Sequence, residues 1–400
     1  MKTVQKDVNG RHLEIIYDDN DIDQNVIGTL KIDSIELSKR LQQIGNLRVS
    51  DQEVIFSTEL KQLSNLIFET SHTLELDDKH LLAFHLVDYY FNHFTGIWRK
   101  FFVRGQYVLA ANLWIKLCQI IWEWEAKRSI KIHKGSPYYF LGRTLIISGD
   151  LDSGFLFVFN AIEEDKRTSK KISLPDRYKQ VPAYMFATLV NDPRNLMYDF
   201  VQKMVQEIQR LLRQYNNVGG SLKYEDFERK FLHNERLEEI SFFFVYNLLQ
   251  LLKQRTLTRP EIIQNEFTKL KNLDTIFNLC LIVDKVLEEK FHGDSIGANV
   301  FNFYHSRGWV TEKHAGELKK VLKSDVDLDK DPDNVVKPLL DSSAKYKGSS
   351  MNELMSAMIL VWYLRNYGGH NIRGQNVLVK SYQGIIERIF FALLAAVEEL

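Results

Sequence analysis

Proline is scarce in this chain, at 7 of 400 residues, and cysteine scarcer still, at 2. The first shortage removes the strongest helix breaker from most of the sequence. The second excludes a disulfide scaffold: Cys118 and Cys280 each sit inside an apolar helical run and read as buried thiols, which fits a reducing cytoplasm. An excess of either charge is also lacking. Lys+Arg and Asp+Glu are both 52, so no global basic field advertises nucleic-acid binding, and any RNA site has to be local. There is no glycine-rich phosphate loop after a strand, and no Ser or Cys nucleophile signature. Met1 to Asp7 has no apolar signal core and no stretch approaches a charge-free membrane span, so a cytoplasmic protein with no membrane partner is expected.

What is present is a large apolar content, 45% of residues, with 25 Phe and 17 Tyr. The period-two pattern is confined to the start. His12–Tyr17 and Val26–Ile32, around Asp18-Asp19-Asn20-Asp21, read as a β-hairpin. From Ser34 the period is helical, with helices expected at Ser34–Ile44, Val54–Thr70, Asp77–Phe94, Gln106–Ala126, Pro137–Ser148, Leu151–Lys166, Pro193–Tyr215 and Leu237–Gln254. Further helices are expected at Pro260–His292, Ser295–Gly308, Thr311–Lys323, Ser350–Leu364 and Ser381–Leu400. The fold class is therefore all-α with a short N-terminal β-hairpin. Its expected divisions are a hairpin at 1–33, a helical region at 34–257 and a C-terminal bundle at 258–400, the last starting at Thr258-Arg259-Pro260.

Tyr138, Leu141, Gly142, Leu145, Gly149, Gly154, Val158 and Ala161 resemble one tetratricopeptide unit, in which small residues let two helices approach closely. A single unit matches, and Lys166 stands where the terminal Pro would be, so the region is repeat-like rather than a regular array. Several other candidates have plainer readings. His80 and His85 are spaced five apart beside Asp88, off the one-face geometry of a metal pair, and no metal or cofactor is expected. His93 lies near Trp98 and Arg99, an aromatic and basic group able to contact a base, although packing is the preferred explanation. The spaced Asp residues of Ser324–Asp333 lack the Gly and closing Glu of a calcium loop. Asn302, His305 and Arg307 form a polar cluster, and Trp114, Trp122 and Trp124 read as core or an inter-helix seam.

The most informative string is Arg365-Asn366-Tyr367-Gly368-Gly369-His370, after the apolar stretch Met351–Leu364. A guanidinium matches phosphate oxygens, and an imidazole takes and gives protons near neutral pH. On an unbroken helix, residues five apart diverge by about 140°, so the two would meet only if Gly368-Gly369 turned the chain back. The bland account is a helix end stopped by Gly-Gly, with Arg and His favoured there by the helix dipole.

The string Leu364–Asn371 between two apolar helices resembles the HEPN domain family, helical bundles whose signature is an Arg, a polar residue and a His a few positions later. The resemblance spans roughly 258–400 in helix order, but only the motif is specific. It implies a metal-independent endoribonuclease, a toxin or antiviral-defence effector, cleaving RNA to 2′,3′-cyclic phosphate and 5′-hydroxyl ends. Arg365, Asn366 and His370 would be the catalytic residues. It further implies a homodimer with paired motifs near a twofold interface, for which Tyr363 and Tyr367 are candidate seam residues, and a protein or nucleotide trigger on the helical region. The alternative within the family is a non-catalytic module for dimerisation, RNA binding or protein interaction.

Overall fold

The computed structural model describes residues 2–8, 11–17, 29–31, 95, 98–99, 101–128, 133–171, 175–193, 195–254, 266–368 and 376–400. It divides into two compact units, Met1–Met185 and Phe186–Leu400. The expected helices between Ser34 and Phe94, with His80, His85 and His93, lie outside the described residues.

The first unit opens with three antiparallel strands in the order β1 (Lys2–Val8), β2 (Arg11–Tyr17) and β3 (Thr29–Lys31). β2 pairs with β3 through Ile15 opposite Leu30, close to the expected hairpin. The sequence reading missed β1, whose residues pair in register from Lys2 opposite Tyr17 to Val8 opposite Arg11. A two-residue Asn9-Gly10 connection is a strong hairpin signal, because both residues tolerate positive φ. β1 escaped notice because only Val4 and Val8 break its polarity.

The long helices bounded among the described residues of this unit are α1 (Tyr107–Arg128), α2 (Gly135–Ser148) and α3 (Leu151–Lys171). α2 and α3 form a tight antiparallel hairpin. Gly149 turns it with φ 101°, its N–H closing onto the carbonyl of Ile146 at 3.1 Å. The small residues act as the sequence suggests: a Cβ on Gly142 would lie 2.7 Å from the Gly154 carbonyl oxygen, so only glycine permits this approach. α1 packs on α2, with Trp114 fully buried and its ring stacked on Phe140 at 5.4 Å. Trp122 forms the seam instead, being 43% exposed and donating from Nε1 to the Tyr138 hydroxyl at 3.0 Å. A short α4 (Pro182–Ala187) spans the division between the units.

The second unit is a bundle around α8 (Glu266–Phe291), α12 (Glu353–Gly368) and α14 (Tyr382–Glu399), each packed against the other two. Around this centre lie α5 (Tyr198–Asn217), α6 (Tyr224–Phe227, continuing as a π-turn to Leu232), α7 (Glu238–Gln254) and α9 (Ile296–Ser306). α10 (Ala315–Leu322), α11 (Pro332–Leu340) and α13 (Asn376–Lys380) complete it, with a two-residue ribbon, β4 (Lys345–Tyr346) and β5 (Ser349–Ser350). The starts carry ordinary capping chemistry. Ser295 Oγ accepts from the Ala298 N–H at 3.2 Å, and Pro332 opens α11, where its missing N–H costs nothing. α12 is apolar on every side and Leu354 to Leu364 are all buried, as befits a helix surrounded by α8, α9, α11 and α14.

The boundary expected at 257/258 differs from the division found. α5 and α7, assigned by sequence to the preceding helical region, pack on α14 and α8 and belong to the second unit. Thr258-Arg259-Pro260 punctuates the chain, but the apolar faces of α5 and α7 are buried against later helices, and burial decides membership. The acidic stretch is also shorter as a loop than expected, since α11 starts at Pro332, and Asp329 pairs with Lys319 at 2.6 Å.

Candidate functional site

Arg365 and Asn366 do not follow a helix end, as the sequence suggested; they lie within the last turns of α12, which runs on to Gly368. Gly368 is thus still helical, and any turning-back starts later. Gly369 and His370 lie outside the described residues.

The environment of Arg365 comes from α8, 81 residues earlier. Its Nε donates to Oδ2 of Asp284 at 3.2 Å. Asp284 is the less exposed partner, its side chain 15% accessible against 38% for Arg365. Burial pushes the Asp284 carboxyl above the ordinary carboxylate range, although the Arg365 guanidinium pulls it the other way. One turn before Asp284, the fully buried Cys280 has its thiol pushed up by the same desolvation, so it is an inert core group. Among the described residues, Nε is the only Arg365 nitrogen that is hydrogen-bonded. The Arg365 side chain is 38% accessible, so it is partly open to solvent while its Nε is fixed to the bundle. At a helix C-terminus the backbone presents carbonyls, so on α12 itself attraction for an anion comes from the Arg365 side chain.

Asn366 is exposed. Tyr367 is half-buried, with its ring stacked on Tyr363 at 5.6 Å. Tyr363 is only 3% exposed and donates its hydroxyl to the Lys330 carbonyl at 3.0 Å. This corrects the expectation for Tyr363 as a seam residue: its surface is already spent within the chain, and Tyr367 alone of the pair reaches the edge. Asp284 is the site residue that sequence reasoning missed. It lies in the apolar stretch Ile282-Val283-Asp284, where an isolated acid on a core helix was the available signal.

Arg307, from the expected polar cluster, serves another end of the bundle. Its Nη2 meets Oε2 of Glu398 at 2.8 Å and its Nε pairs with Glu399, while its Cζ lies 5.4 Å from the Phe303 ring centroid. Glu398 also accepts from the Tyr215 hydroxyl at 2.7 Å and from the backbone and side chain of Ser221 at 2.7 and 2.6 Å. Burial alone would raise the Glu398 carboxyl, but the bonds from Ser221, Arg307 and Tyr215 outweigh it and hold its pKa at about 2. This is a structural clamp.

Against protein-family models, curated proteins and solved structures, the chain finds no match. No helix among the described residues is long and apolar enough to cross a membrane, and no group of three or more His, Cys, Asp or Glu among them is placed to hold a metal ion.

Proposed function

We propose that the chain is a metal-independent endoribonuclease of HEPN type, acting as a toxin or antiviral-defence effector. The observation that carries the reading is a guanidinium held at its Nε by a sheltered carboxylate and partly open to solvent, five residues before a histidine. In this reading Arg365 stabilises charge on the pentacovalent phosphate, a pre-organised role that the Asp284 bond makes rigid. His370 takes the proton of the RNA 2′-hydroxyl or gives one to the leaving 5′-oxygen. Asn366, on the solvent side of α12, orients the phosphate or the imidazole by hydrogen bonds. Because the nucleophile is internal to RNA, the products carry 2′,3′-cyclic phosphate and 5′-hydroxyl ends.

Pairing of two chains would place two such sets together, and the repeat-like hairpin α2–α3 is the region to which a protein or nucleotide trigger would bind. The test is incubation of the purified protein with a synthetic RNA in EDTA, followed by identification of the ends. Arg365→Ala and His370→Ala are each expected to lose at least about 100-fold in rate. Cleavage that persists in the double variant, or equal cleavage of DNA, would overturn the assignment. Light scattering at micromolar concentration should give the mass of a dimer; a fully active monomer would remove the pairing.

A further inference from the structure

From Thr95 to Trp122 the sequence has four basic residues, Arg99, Lys100, Arg104 and Lys116, and no Asp or Glu. In α2, Arg143 is the only charged residue. Here, in a chain with no net charge, a cation-rich stretch lies next in sequence to a row of aromatic rings over which one cation, Arg143, sits. The Trp98 indole N–H donates to Thr144 Oγ1 at 2.7 Å, which pins that ring to α2. Phe102 lies 4.7 Å from Trp98, and Tyr107 lies 5.2 Å from Phe102. The Arg143 guanidinium sits over two of these rings, 5.0 Å from the Trp98 centroid and 4.8 Å from that of Phe102.

Arg143 is half-buried, and its Nε is out of solvent with no hydrogen-bond partner among the described residues. None of Arg143, Arg99 and Arg104 has a carboxylate partner among the described residues, and the latter two are exposed. Burial pulls the Arg143 pKa down, and Arg99 adds to that pull as a second cation nearby. Ring faces offset part of the cost of holding a guanidinium there, yet a sheltered cation facing another cation is a site short of one anion.

We propose that this face of the first unit, formed by Trp98, Arg99, Phe102, Arg104, Tyr107 and Arg143, binds single-stranded polynucleotide. The arginines take backbone phosphates, and the half-buried rings of Phe102 and Tyr107 take bases by stacking. Cations beside a row of rings suit a strand that carries both phosphates and bases, more than they suit a phosphate alone. The inference rests on the ribonuclease reading only in naming RNA as the natural strand, and it concerns residues of the other unit.

The test therefore uses a strand that 2′-hydroxyl chemistry cannot cleave. Binding of fluorescein-labelled oligothymidylate to the full chain is followed by anisotropy over a salt series. Arg99→Gln/Arg104→Gln, at exposed positions that leave folding intact, and Arg143→Gln are each expected to weaken binding about tenfold. The slope of log K against log salt should fall by about 0.7 for each arginine removed. Tyr107→Leu is expected to cost about fivefold or more through stacking. Arg229→Gln/Arg236→Gln, which removes two exposed cations of the second unit paired with Asp226 and Glu289, is the charge-matched control and should bind as the parent does. No binding by the parent, or an Arg99→Gln/Arg104→Gln variant indistinguishable from the control, overturns the proposal. So does displacement of the oligonucleotide by inorganic polyphosphate at equal phosphate concentration, since the rings would then contribute nothing. Absence of RNA cleavage would sink the ribonuclease reading and leave this result standing.

Discussion

Glu398→Gln removes one charge and little volume, and its expected cost can be worked from the clamp it occupies. The carboxylate is the shared acceptor of Arg307, Tyr215 and Ser221, drawn from three separate segments. Its pKa falls from an ordinary 4.5 to about 2 in the folded chain. A tenfold change in proton affinity is equivalent to about 1.4 kcal/mol, so the pairing is worth at most about 3.5 kcal/mol; screening reduces this to roughly 2 kcal/mol. The sign follows from the direction. A carboxyl depressed on folding stabilises fully above its unfolded pKa, and that contribution drains away as pH falls from 4.5 toward 2. Urea unfolding of parent and variant, followed by helical circular dichroism, should therefore differ by about 2 kcal/mol at pH 7. The gap should narrow steadily below pH 4.5. Other carboxylates titrate in the same window but cancel in the difference. A gap below about 0.5 kcal/mol at pH 7, the range of unremarkable surface changes, would refute the reasoning, as would a gap unchanged at about pH 3.

Three further outcomes are expected. Asp284→Asn should slow RNA cleavage by about tenfold through a loosened Arg365. It should also abolish an acidic fall in rate that, in the parent, begins above the usual carboxylate range, because protonating the raised Asp284 carboxyl breaks the same pair; an identical pH–rate profile in both would reject the positioning role. Gly142→Ala should destabilise the first unit by about 1–2 kcal/mol despite the better helix propensity of Ala, whereas Gly384→Ala, whose nearest neighbour would be 3.8 Å away, should be neutral or stabilising; equal melting shifts would contradict the packing account. Gly369→Ala should remain folded yet lose about 100-fold in cleavage, and a folded variant with full activity would make the Gly-Gly pair an ordinary helix end.

The helices of the second unit were legible because most carry a 3.6-residue apolar stripe, and their ends fell within a few residues of expectation. α5 is a clear instance: Val201, Met204, Val205, Ile208, Leu211 and Leu212 are its buried face. Short elements without a full stripe were not legible, as with α4, α6, α11 and α13. The end of α12 was misplaced because its apolar run stops at Leu364, whereas the helix continues through the partly exposed Arg365 and the exposed Asn366 to Gly368. At the candidate site, Arg365 declared its chemistry in the sequence; its anchor did not, since a lone Asp284 inside an apolar run carries no sign of the helix it will meet. The close hairpin at Gly142 and Gly154 was readable because only glycines satisfy it.

α12 also has a consequence for biogenesis. Its flanks are covered by helices on both sides in sequence, and α14 is made after it. Until α14 joins it, the buried run from Leu354 to Leu364 lacks part of its cover. Such a segment is a ready substrate for holdase chaperones and a nucleus for aggregation, whereas the hairpin of α2 and α3 can close on its own much earlier.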